Sequence, residues 1–104
     1  MQGTKQMRQL LLSEVAVRVL REQPSLLHGP RLRQIMESTR RHSSGPVYRE
    51  CLDEWDRLLS SGDIELIALH VLSDDEHGDM MRATSPLAVL LTRDQREDVA
   101  RRAV

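Results

Sequence analysis

The sequence predicts an all-α protein, a small bundle of about five to seven short helices in one domain that a partner would help to complete. Three observations lead there. Apolar residues recur at helical spacing in successive segments. The apolar residues are chiefly Leu, Val, Ile, Ala and Met, because Tyr48 and Trp55 are the only aromatic side chains and Phe is absent. The breaks between segments carry Pro, Gly or helix-capping residues, and no second strand-like segment is available to pair with the one stretch rich in β-branched residues.

Residues 1–6 are polar and expected to fray. Leu12, Val15, Ala16 and Val19, widened by Leu10, Val17 and Leu20, predict a first helix over 4–22 that packs on two neighbours and stops before Pro24. Pro30 opens a second helix to about His42, with Leu32, Ile35 and Met36 on one side and Arg31, Arg33, Arg40 and Arg41 on the other. Residues 43–45 read as a linker. Pro46 then starts the clearest helix, whose stripe of Tyr48, Cys51, Leu52, Trp55, Leu58 and Leu59 ends at Gly62. Asp63 is placed to cap a helix over 64–72. Ser73 with Glu76 reads as a capping box for an acidic helix to about Ala83, Ser85 and Pro86 open a short turn over 87–91, and Thr92 with Gln95 repeats the box before a terminal helix over 93–103.

Composition narrows the class of function. Apolar residues make up 39% and charged residues 30%, too apolar for a disordered tail and too charged for a membrane protein. Cys51 is the only cysteine, so no intrachain disulfide forms and a cytoplasmic location is the default. The apolar run from Leu10 to Leu20 is broken by Ser13, Glu14 and Arg18 and is too short to span a bilayer. Charge, by contrast, is segregated: residues 1–49 sum to +6, residues 50–79 to −9 and residues 80–104 to +2, within a net charge of −1. Such a field selects partners and steers their approach.

Catalytic chemistry finds no support. His28, His42, His70 and His77 lack the spacing of metal ligands, the closest pair being separated by an expected helix break, so no metal or other cofactor is expected. Cys51 falls on the apolar stripe, where a cysteine behaves as a small hydrophobe. Gly45, Gly62 and Gly78 are isolated and build no phosphate loop. The acids Asp53, Glu54 and Asp56, and then Asp74, Asp75 and Glu76, follow caps and suit a solvated face. The chain is therefore read as a non-enzyme without a small-molecule substrate.

The C-terminal half carries short motifs: Trp55-Asp56-Arg57-Leu58-Leu59-Ser60-Ser61-Gly62, then Met81-Arg82-Ala83-Thr84-Ser85-Pro86-Leu87, then Leu90-Leu91-Thr92 and Arg96. Over roughly residues 48–96 these resemble small bacterial proteins encoded beside nucleotidyltransferases, the antitoxins of nucleotidyltransferase-type toxin–antitoxin modules. Leu87 stands where that pattern has Phe, and the basic first half is not covered. The resemblance implies a protein that neutralises its toxin by direct contact. Toxins of this class transfer nucleotides, typically to the acceptor end of transfer RNA, and need a basic groove to do so.

Asp53, Glu54, Asp56, Asp63, Glu65, Asp74, Asp75, Glu76 and Asp79 are then candidates to occupy that groove in place of phosphates. Trp55, Arg82, Ser85, Pro86 and Leu87 join them as candidate partner contacts, although Trp55 fits the core better by its place on the stripe, and Ser85-Pro86-Leu87 reads first as a helix start. The alternative is a DNA-binding transcriptional regulator that uses Arg31, Arg33, Arg40 and Arg41 on phosphates. Gln34 and Ser38 are nearly all that this helix offers to base edges. A structural subunit of a larger helical assembly is a third reading. Salt separates the first two, since DNA affinity falls steeply with ionic strength and an apolar interface survives it.

Overall fold

A computed structural model describes residues 3–103. Six α-helices run in order as α1 (Thr4–Glu22), α2 (Pro30–His42), α3 (Pro46–Ser61), α4 (Ile64–Val71), α5 (Glu76–Ala83) and α6 (Arg93–Arg102). Two 3-10 turns, Pro24–His28 and Leu87–Leu90, lie between α1 and α2 and between α5 and α6. No strand occurs among the described residues, so the fold is all-α as the periodicity predicts.

The breadth of apolar surface on α1 decides the architecture. Val15, Ala16, Val17, Val19 and Leu20 are all buried, so one stripe cannot describe this helix. It packs against α4, α5, α6 and both 3-10 turns, which is more than the two neighbours expected, and the short elements wrap it. On α3 the covered part of the stripe is Cys51, Leu52, Trp55 and Leu58. The radius of gyration, 13.1 Å, matches about 13 Å for a folded chain of this length.

Local chemistry sets most of the boundaries. Gly62 takes the left-handed conformation, φ 69°, that ends α3 without a Cβ penalty. The Asp63 carboxylate accepts the Leu66 N–H at 3.0 Å, and the Thr92–Gln95 capping box is complete at α6. One expected cap is corrected. Asp75, not Ser73, caps α5 by accepting the Gly78 N–H at 2.8 Å, because the helix starts at Glu76 and the Ser73 backbone instead lends its carbonyl to Arg82. The segment between α1 and α2 also winds into a 3-10 turn that buries Leu27.

Candidate interaction surface

The turn between α4 and α5 is built around a buried cation. Arg82, on the last turn of α5, is 6% exposed; its Nη1 donates to the carbonyls of Val71 and Ser73 at 2.9 and 2.8 Å, and its Nη2 reaches Asp79 at 2.6 Å. Gly78 lets the Ser73 carbonyl approach this knot: a Cβ there would lie 1.9 Å from that oxygen and 3.0 Å from Nη1 of Arg82. Trp55 completes the support. It has no exposed surface, and its Nε1 donates to the Met81 carbonyl at 3.1 Å, which ties α3 to α5.

Burial sorts the expected contact residues. Trp55, Arg82, Pro86 and Leu87 lie inside the fold, and Ser85 is half-buried with its Oγ accepting the Leu87 N–H at 3.1 Å. In the folded chain the side chains of these five serve core packing or the start of the turn. Asp53, Asp74, Asp75 and Glu76 are exposed, and Glu54 and Asp56 are half-buried.

The folded chain also pairs some of its segregated charge with itself. Arg21 binds Glu65 through two hydrogen bonds of 3.0 and 2.8 Å, and that carboxyl is held below its ordinary pKa by the hydrogen bond from Arg21. Arg40 binds Asp53 at 2.9 Å and also Asp56, which raises the Arg40 pKa and occupies both acids. Arg57 binds Glu54, and this hydrogen bond holds the Glu54 carboxyl below its usual range. Among the described residues Asp74 and Glu76 have no ion-pair partner. The hydrogen bond from the Gly78 N–H, with a second from Ser73, keeps Asp75 below its usual range. An acidic edge therefore stands free at residues 74–76.

Apolar surface lies near that edge. Tyr48, the first residue of the α3 stripe, is 37% exposed and its neighbour Val47 is 56% exposed, because α3 begins beyond the edge of the core. Two depressions of about 390 and 380 Å³ adjoin there, sharing Val47, Cys51 and Met80. Together they form a groove between α3 and α5 that runs from Pro46 and Thr84 to Glu54 and His77. Leu69, on the exposed side of α4, is 70% exposed. Sequence spacing marks Tyr48 as part of the α3 stripe and does not single out Val47, Leu69 or Met80. Their exposure depends on where the neighbouring elements end.

The basic face is weaker than the sequence implied. Arg31, Arg33, Arg40 and Arg41 are all exposed on α2, yet Arg40 is committed to two carboxylates and Arg31 reaches the Val89 carbonyl at 3.4 Å. A groove of about 460 Å³ beside this face is lined by Arg33 and Arg40 but also by Glu37 and Asp56. Acids in that position oppose a phosphate backbone.

Comparison with known proteins returns no match. No family model, curated protein or solved structure matches the chain. The functional reading rests on its own geometry and on the short motifs. None of its described helices is long and apolar enough to cross a membrane.

Proposed function

We propose that this chain is an antitoxin that neutralises a nucleotidyltransferase toxin by direct contact, without chemistry of its own. The observation that carries the reading is the exposed acidic edge at residues 74–76, without ion-pair partners among the described residues, next to the α3–α5 groove that runs from exposed Val47 and Tyr48 past Met80 to His77. Apolar anchors surrounded by charge are what a partner interface needs, with the apolar part supplying affinity and the charge supplying selection. The acids enter the basic groove in which the toxin holds nucleotide and RNA phosphates. Val47, Tyr48, Met80 and Leu69 pack against its walls.

The test is co-expression with the adjacent nucleotidyltransferase, scoring growth and co-purification at high salt. The wild-type chain should restore growth and remain bound. Asp74→Lys with Asp75→Asn and Glu76→Lys removes the negative edge while Asn keeps the α5 cap. That variant should fold normally and lose rescue. Full rescue by a folded triple variant would exclude the acidic edge from the interface, and a harmless or unbound nucleotidyltransferase would exclude the antitoxin reading.

A further inference from the structure

The fold brings together three side chains that the sequence keeps apart. Glu54 on α3, His70 on α4 and His77 on α5 each place one potential metal-ligand atom within 4.8 Å of the other two. His70 Nδ1 lies 2.9 Å from His77 Nε2 and 3.7 Å from Glu54 Oε1. The two rings meet edge to face, with centroids 5.2 Å apart and an interplanar angle of 68°. Spacing gave no hint of this, because the intervening turn reverses the chain and sets the first turn of α5 beside the last turn of α4.

We propose that Glu54, His70 and His77 form a binding site for a divalent transition-metal ion, with zinc the best fit. Ligand type supports the assignment: two imidazole nitrogens and a carboxylate oxygen suit zinc, whereas magnesium and calcium prefer sets made only of oxygen. Distance supports it independently. Tetrahedral zinc with ligands at about 2.0–2.1 Å sets those ligand atoms about 3.3–3.4 Å apart. The 2.9 and 3.7 Å separations of His70 from its two neighbours bracket that value, and His77 and Glu54 lie within 4.8 Å of each other, so closure onto an ion needs only side-chain rotation. In the metal-free chain one imidazole donates to the other; a metal ion takes the place of that shared proton.

The surroundings hold the ligands in place. Arg57 binds Oε2 of Glu54 and leaves Oε1 on the side of His70, as an outer partner of a metal-bound carboxylate does. Trp55 and Arg82 anchor the helices that carry Glu54 and His77. His70 and Glu54 are about one-quarter exposed and His77 is exposed, so a fourth position opens to water or to a ligand from another protein. Bound metal would join three helices across one end of the α3–α5 groove, a staple of the kind that small domains use.

The experiment is zinc titration of the full untagged chain by calorimetry, with cobalt as a spectroscopic probe. One zinc ion per chain should bind with Kd about 1 μM or tighter, and cobalt should give the visible bands of a four-coordinate site. Saturating zinc should raise Tm by about 10 °C or more. His77→Ala, at an exposed position, should leave the metal-free helical spectrum unchanged and weaken zinc binding by about 100-fold or more. His28→Gln with His42→Gln should leave affinity unchanged. Absence of stoichiometric zinc binding by the wild-type chain, or an unchanged Kd in His77→Ala, would overturn the proposal. Neither result depends on a toxin, so this site and the antitoxin reading stand or fall separately.

Discussion

Arg82 shows how a residue that looks like a surface cation becomes structural. A buried guanidinium is tolerated only where its donors are satisfied, and here two backbone carbonyls and the Asp79 carboxylate do so. Arg82→Met is expected to cost about 1–3 kcal/mol for each carbonyl left without a donor, measurable by urea denaturation. Gly78→Ala should cost about 1–3 kcal/mol, because its Cβ meets the Ser73 carbonyl and the α4–α5 turn must shift. Trp55→Phe should cost about 1–3 kcal/mol through loss of the indole hydrogen bond to the Met81 carbonyl, which keeps only the long 3.5 Å contact from the Thr84 hydroxyl, while the folded fraction keeps its affinity for the partner. Loss of affinity with unchanged stability would instead make Trp55 a contact residue.

At the scale of elements, the sequence was most legible where one local rule acts alone. The Gly62 stop, the Asp63 cap, the Thr92–Gln95 box and the buried stretch of the α3 stripe follow from chemistry within a few residues. Thr92→Ala should lower stability by about 1 kcal/mol, read as a lower denaturation midpoint with an unchanged slope. Competition made the α5 start less legible, since Ser73 and Asp75 both offer a capping oxygen and the helix begins after Asp75. The His70–His77 pair was invisible because a spacing of seven means little until the turn is known. The exposure of Tyr48 was not legible, because periodicity marks a stripe but not how far its cover extends.

Across the whole molecule, the segregation of charge along the chain is partly cancelled on folding. Arg21 meets Glu65 and Arg40 meets Asp53 and Asp56, so the basic half neutralises a share of the acidic one, and the free acids concentrate at 74–76. These ion pairs are exposed and contribute little stability, but they decide which charges remain for a partner. The Glu65 carboxyl, with its folded pKa below its unfolded one, supports the fold at neutral pH and loses that support as pH falls through the folded value. Glu65→Gln should therefore flatten the acid limb of a stability-versus-pH curve slightly and leave stability well below that range unchanged. An unaltered acid limb would show that Arg21–Glu65 has no net effect.

Hydrogen exchange of the chain, free and saturated with the nucleotidyltransferase, maps the surface that neutralisation would cover. Neutralisation through the acidic edge and its apolar surroundings predicts new protection in residues 46–51 and 69–80, with residues 31–41 unchanged. Protection confined to 31–41, or none on the acidic edge and the α3–α5 groove, would contradict it.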